Sequence, residues 1–417
     1  MNKRFIFFIS CLLVVMMVAT GCTTYANNYM CGIKPGIMDR VPEPMDNNIN
    51  TAILNFSWNL FSESIKNPGN IMISPASAYF ALGMTINGAN GETKAAMMEA
   101  LSAKEISEED LNIGLMDWMN NLMSSKRIAK LSVANSIWLR NEFKADNAFL
   151  QKNADYFRAS VQGLDFRSKT AKDTINQWVK NATNGTIDKI VENIQEDTIM
   201  YLINAIYFKG DWKEQFSANS TRPMMFNMPE GAVKTDFMSR TGSIKYIKGN
   251  DAECVILPYL DEQFAFIGLL PKEGQTPRDL AEKLKAQDLK DIMDSSEETT
   301  ITLYLPKFKS SYADSLKDEL SKLGMEIAFD PNRSDFSLME KNRDSYIYIN
   351  DVMQKTYIKV DEKGTEAAAV TAVEAKPSAI MENVKVAFDR PFIYCIMDVT
   401  TGIPIFIGIM ENPSAEK

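Results

Sequence analysis

Apolar residues recur at helical spacing at Ile53, Leu54, Trp58, Phe61 and Ile65, which predicts a helix over 51–65. Ser74-Pro75 pairs a capping serine with a first-turn proline, so a second helix starts there and runs to about Asn87, before Gly88. Further helices fit 93–101 and the methionine-rich stretch 111–123. β-Branched and aromatic runs predict strands over 131–139, 200–208, 253–257, 264–270, 299–305, 346–360, 392–399 and 403–410. Helices dominate the first half and strands the second. With no repeat or long linker after Ile49, this order predicts one large α+β domain over 49–417, with its helices clustered and not alternating with strands.

Composition narrows the chemistry mainly by omission. The chain has 417 residues, 45% hydrophobic and 24% charged, enough for a large core, and a net charge of -9 that argues against a nucleic-acid partner. Lys126, Arg127 and Lys130 form a small basic cluster that reads as a solvated face. Histidine is absent, which excludes Ser-His-Asp and Cys-His catalysis and His-ligated metals. The one Ser-x-x-Lys is Ser414 to Lys417, in the tail, and neither a Gly-x-Gly-x-x-Gly nor a Walker-type loop occurs. Nothing calls for a cofactor or a metal. Cys254 and Cys395 lie in apolar runs and read as buried thiols; Cys11, Cys22 and Cys31 complete the set, with no metal or disulfide spacing.

Lys3 and Arg4 precede an apolar run, 5–19, followed by Ala19-Thr20-Gly21-Cys22. A charged start, a short apolar run and small residues make an export signal, too short for a membrane-spanning helix. The placement of Cys22 resembles a bacterial lipoprotein box, although Ala19 stands where an aliphatic residue is usual; an ordinary cleaved signal is the alternative. The chain then divides into a signal over 1–21, a polar flexible tether over 22–48 and the domain. The resemblance implies export and a lipid anchor at Cys22 in the cell envelope, periplasmic or at the cell surface, with release outside the cell as a variant. The anchor is the only membrane contact implied.

The most informative stretch is 361–370, Asp-Glu-Lys-Gly-Thr-Glu-Ala-Ala-Ala-Val. Read as a strand, it places Thr365, Ala367, Ala369, Thr371, Val373 and Ala375 on one face, all small or apolar. Glu366, Glu374 and Lys376 fall on the other face with Ala368, Val370 and Ala372, which predicts one buried and one wet face. Gly364 precedes this run, and Lys376-Pro377-Ser378 reads as an exposed turn after it.

Glu362 to Ala369 resembles the hinge of the serpins, and Phe388-Asp389-Arg390-Pro391-Phe392 resembles their signature downstream. Ile73-Ser74-Pro75-Ala76-Ser77, the stretch from Asn204 to Trp212, and Leu305-Pro306-Lys307-Phe308 are similar to further blocks of that family. Together they extend the resemblance over about 51–413. It implies a serpin-like fold with about three β-sheets and an exposed reactive loop over about 362–381. It also implies a suicide-substrate inhibitor of serine or cysteine proteases, not an enzyme, acting as a monomer. The hinge would comprise Glu362, Gly364, Thr365, Ala367, Ala368 and Ala369. Ser74, Ser77, Asn204 and Trp212 would lie where the main sheet opens, with Gln354 where the family usually has a histidine. Counting from Glu362 places the scissile bond at Ser378-Ala379; counting back from Pro391 places it at Ile380-Met381. The first would suit elastase- or subtilisin-like enzymes. A binding protein using the same fold without inhibiting remains the competing reading.

Overall fold

The structure is a computed structural model that describes residues 33, 35–36, 42–124, 128–195, 198–342, 347–365 and 384–415. Nine α-helices occur among the described residues, six of them before residue 183, while most strands follow it. A six-stranded sheet runs in the order Phe308–Ser315, Met353–Asp361, Gly364–Thr365, Met200–Asp211, Lys130–Arg140, Ser160–Leu164. A nine-stranded network forms the rest and bends into two sheets along one shared strand, Gly231–Lys248. The first residues of that strand pair with Arg222–Met228, the middle with Glu297–Pro306 and the last with Ala252–Pro258. The sheet count is thus three.

The helix Pro75–Ile86 packs on both Met200–Asp211 and Ile403–Met410 and so links the two networks. Its start is fixed as the sequence requires: the Ser74 Oγ accepts from the Ser77 N–H at 3.2 Å, and Pro75 occupies the first turn. The helix Ala171–Ala182 covers part of the outer face of the six-stranded sheet. There Ile175 and Val179 join Ile203, Ala205 and Trp138 in a second hydrophobic cluster.

Two expectations are corrected. The strand expected over 346–360 occupies only Met353–Asp361, because the irregular segment before it ties instead to other elements; the Ile349 N–H, for example, donates to the Ala328 carbonyl at 2.9 Å. The first helix begins at Asn47, capped by Asp46, ahead of the start expected at 51, and a few described residues before it make contacts. Ile33 is buried, the Gly36 N–H donates to Asp155 Oδ1 at 2.6 Å, and Asn121 Nδ2 donates to the Glu43 carbonyl at 3.2 Å.

Candidate functional site

The site lies where two strands of the six-stranded sheet separate. Among the described residues, Met200–Asp211 and Met353–Asp361 are joined only through the two-residue strand Gly364–Thr365. Thr365 pairs with Val360 on one side and Gly210 on the other; Gly364 pairs with Asp361 and Asp211. Beyond those pairs no ladder joins the two long strands among the described residues. The hinge therefore enters the sheet as the first two residues of a strand antiparallel to both neighbours.

Several contacts hold this start in place. The Thr365 hydroxyl lies 2.6 Å from the Tyr259 hydroxyl, both buried, and burial keeps the Tyr259 phenol neutral far above its ordinary range. Trp212 stacks on Tyr259 at 4.8 Å, donates its Nε1–H to the Asp361 carbonyl at 2.9 Å, and donates its backbone N–H to the Lys363 carbonyl at 2.8 Å. The Phe216 N–H donates to the Glu362 carbonyl at 2.9 Å. The Glu362 carboxylate lies 2.9 Å from the Lys307 ammonium and accepts from the Thr221 hydroxyl at 2.7 Å. Burial pulls the Glu362 carboxyl upward, but Lys307 and Thr221 outweigh it and hold the group below the usual carboxylate range.

Gly364 is required by close approach. A Cβ built there would stand 2.1 Å from the Gly210 carbonyl oxygen and 2.8 Å from Asp211 Cα, both backbone. The conformational freedom expected of it is accompanied by this steric need.

Farther along the gap a buried polar network crosses beneath it. Gln354 Nε2 donates to the Ser74 carbonyl, and the Ser74 N–H donates back to Gln354 Oε1, each at 2.9 Å. The Ser74 hydroxyl donates to the Ile405 carbonyl at 2.8 Å. The Ser77 hydroxyl donates to Asn204 Oδ1 at 2.5 Å, and Asn204 Nδ2 donates to Asn135 Oδ1 at 2.7 Å. Asn135 in turn donates to the Phe157 carbonyl at 2.7 Å. The structure thus brings Ser74, Ser77, Asn204 and Gln354 into one network and places Trp212 apart from it, against the hinge. Sequence reading missed Asn135, Tyr259, Thr221 and the pairing of Lys307 with Glu362. Asn135 had a signal, an amide inside an apolar strand run; the others needed a fold.

Ala367, Ala368, Ala369, Ser378, Ala379, Ile380 and Met381 lie outside the described residues, as do Cys22, Lys126 and Arg127. The outer face of the six-stranded sheet is covered where Ala205 and Ile203 meet the helix Ala171–Ala182, because nine aliphatic and aromatic side chains close a core there; the outward residues expected to be wet, 366–376, lie outside the described residues. A bridge from Lys355 to Asp188, 3.6 Å, ties Met353–Asp361 to the segment after that helix. Cys254 and Cys395 are buried, free thiols.

Residues 51–413 match the family model described as Serpin (serine protease inhibitor). An uncharacterized serpin-like protein of Thermococcus kodakarensis is 32% identical over 382 residues, 90% of this chain and 88% of that one. The solved native state of tengpin, a thermophilic serpin, superposes with a TM-score of 0.84 at 38% identity, covering 91% of this chain and 97% of that one. Thyroxine-binding globulin in complex with thyroxine superposes with a TM-score of 0.80 at 25% identity, covering 88% and 100%. The matched residues take in both networks, the helix between them and the hinge, and the chain belongs to the serpin superfamily.

Proposed function

We propose that this serpin inhibits serine-type endopeptidases, and by the same chemistry cysteine-type ones, as a suicide substrate cleaved at Ser378-Ala379. The observation that carries this reading is the two-residue strand at Gly364–Thr365, whose register on both sides is already set. Continued one residue at a time, it would bring 367 level with Phe208 and Ile358, 369 with Ile206 and Thr356, and 371 with Asn204 and Gln354. Those six side chains are buried, and the inserting row is Ala, Ala, Thr. A row of small residues enters such a slot without displacing the side chains beneath it.

The protease nucleophile adds to the Ser378 carbonyl carbon, the bond to Ala379 breaks, and the Ala379 amine leaves with the proton. The acylated segment then inserts, carrying the enzyme away and distorting it before water completes hydrolysis. A serine before the cleaved bond fits a small primary pocket, of elastase or subtilisin type. Ile380-Met381 is the second choice. The chain acts as a monomer, tethered to the cell envelope through lipid on Cys22.

Incubation with elastase and with subtilisin, followed by denaturing electrophoresis and mass spectrometry, tests this. A denaturant-stable band near the summed mass, with a released peptide starting at Ala379, is expected. Clean cleavage by every protease with no such band, and no rise in thermal stability after cleavage, would instead fit a non-inhibiting binding protein, the reading that the likeness to thyroxine-binding globulin keeps open. The mass of the N-terminal peptide from the membrane fraction tests the anchor: a peptide beginning at unmodified Thr23, or at any residue but lipid-bearing Cys22, refutes it.

A further inference from the structure

One short stretch of strand seats three supports of the hinge. Glu362 is held by Lys307, by Thr221 and by the Phe216 N–H. The Lys307 N–H donates to the Asp236 carbonyl at 2.8 Å. The Ser239 hydroxyl donates to the Ser220 carbonyl at 3.0 Å, beside Thr221. Arg240 Nη1 donates to the Glu214 carbonyl at 3.0 Å and to Glu214 Oε2 at 2.8 Å, and the guanidinium lies over the Phe216 ring, 5.6 Å from its centroid. All three seats fall within residues 236–240 of Gly231–Lys248. That stretch is fixed in register: Met238, Ser239 and Arg240 pair with Leu305, Tyr304 and Leu303, on a strand that pairs in turn with Val384–Ala387.

Arg240 is the member whose energetics stand out. Its side chain is 13% exposed, and its Nε–H is buried with no acceptor among the described residues. Glu214, its partner, is 60% exposed. A buried guanidinium with one nitrogen unpaired, facing a carboxylate in water, adds little to overall stability, because desolvation offsets the pairing. What the arrangement does fix is a position. Trp212 bridges to Tyr259, and the Lys213 N–H donates to the Pro258 carbonyl at 3.0 Å. From there Arg240 takes hold of the loop on both sides of Gln215, at Glu214 and at Phe216.

We infer that Arg240 is a positioning residue for the hinge: through Glu214 and the Phe216 ring it sets the Phe216 N–H against the Glu362 carbonyl, and so holds the turn that leads into Gly364–Thr365. Its consequence for insertion rests on the reading proposed above; the hold on the turn does not. The chemistry of the side chain fits the task. A guanidinium offers hydrogen-bond donors in its plane and a cationic face to an aromatic ring, so one group can meet a carbonyl, a carboxylate and a phenyl ring together. An ammonium has no such plane and would keep only part of the hold. A residue that stabilises the fold and one that positions the hinge also differ in what their loss does. The first lowers stability and loosens the turn in step. The second loosens the turn while the fold keeps its stability or gains, because a buried unpaired donor has gone.

The test compares wild type with Arg240→Met, Arg240→Lys, Glu214→Gln and a control, Lys283→Met, whose ion pair with Asp251 lies on another turn. The readouts are amide hydrogen exchange at Phe216, the guanidinium midpoint of the native form, and the rate at which that form acquires the denaturant resistance of a loop-inserted one. Arg240→Met is expected to raise both the exchange and the conversion rate about fivefold to tenfold, with a midpoint at or above that of wild type. Arg240→Lys should fall between the two. Glu214→Gln keeps the carbonyl contact and should raise conversion only about twofold. Lys283→Met should match wild type throughout. Wild-type exchange at Phe216 in Arg240→Met overturns the proposal, and so does a midpoint that falls in step with faster exchange. Faster exchange with an unchanged conversion rate overturns it too, where cleaved wild type does gain thermal stability. If cleaved wild type gains none and no variant converts, the insertion reading fails, and exchange at Phe216 still decides whether Arg240 holds the turn.

Discussion

Gln354→Met is the substitution that most directly weighs the network beneath the gap. The Gln354 amide makes two bonds of 2.9 Å to the backbone of Ser74, and the two residues are only 5% and 1% exposed. The Ser74 carbonyl keeps a second partner, the Ala78 N–H at 3.1 Å, so it is not orphaned by the change. The Ser74 N–H loses its recorded acceptor. An orphaned buried donor costs about 1–3 kcal/mol and a lost net hydrogen bond about 0.5–1.5, so the native state should weaken by about 1.5–4.5 kcal/mol. Methionine is close to glutamine in volume, so cavity formation adds little. Guanidinium unfolding of the native form, followed by the fluorescence of its five tryptophans, reads the loss.

Gln354→His separates hydrogen bonding from packing. A neutral imidazole has one donor and one acceptor and can serve both Ser74 groups. Its protonated form has two donors, and one would face the Ser74 N–H. The network therefore favours the neutral ring and lowers its folded pKa below the unfolded value of about 6.5. Stability that depends on the neutral ring is present above about 6.5 and lost as pH falls through the lower folded value. Wild type has no histidine, so its stability should be nearly flat between about pH 6 and 8. An unchanged midpoint in Gln354→Met, or a pH-flat Gln354→His, would refute the reasoning.

Glu362→Ala should loosen the hinge turn by about 1 kcal/mol, a small value because Lys307 is 34% exposed; the rate of spontaneous conversion to a loop-inserted, non-inhibitory form would read it. Because the Glu362 pKa is lowered by folding, the contribution of this carboxylate is complete above its ordinary range and lost as pH falls below it, so acid should speed the same conversion in wild type and not in the variant. Gly364→Ala would drive a Cβ into the Gly210 carbonyl oxygen, and hydrogen exchange at Gly210 and Asp211 should rise as the two-residue strand detaches. Thr365→Arg would bury an unpaired ion at several kcal/mol and should turn inhibition into plain cleavage; a wild-type yield of complex would refute insertion.

Much of the architecture was legible because the local signals were strong. Ser74-Pro75 and the strand 403–410 were readable from a cap and an unbroken apolar run, and both stand where expected. The strand Gly231–Lys248 was not, because its exposed residues outnumber its buried ones and no apolar alternation persists along it. The helix Ala171–Ala182 buries Ile175 and Val179 on a narrow stripe that is easily passed over in a polar stretch. At the site, Ser74 was legible as a helix cap and Asn204 as an amide inside an apolar run. Tyr259 and Lys307 did not, since a tyrosine in a turn and a lysine after a proline carry no sign of a partner over 50 residues away. The cover over Ile203 and Ala205 was hidden for the same reason: alternation reports which side chains differ, and cannot report that a helix from elsewhere closes over one face of the sheet.

That cover bears on what decides insertion. Fixing a residue's backbone costs about 1–2 kcal/mol, and each ladder hydrogen bond returns about 0.5–1.5. Inserting a strand is therefore close to balanced on backbone terms alone. Side chains set the sign, and on the insertion proposed above they would do so on both faces, since the register would bring the inner row to Phe208, Ile206 and Thr356 and the outer row to the face that Ile175 and Val179 cover. A run chosen only for a buried inner face could have carried charge at every outward position. This one carries Ala368, Val370 and Ala372 there and confines its acidic residues to the two ends. On that proposal Val370, one step larger than its neighbours, would meet a packed helix instead of water, and Val370→Glu should impair inhibition nearly as much as a charge on the inner row. A Val370→Glu protein that still forms complex with wild-type stoichiometry would mean that the helix Ala171–Ala182 lifts clear during insertion and takes no part in selecting the sequence beneath it.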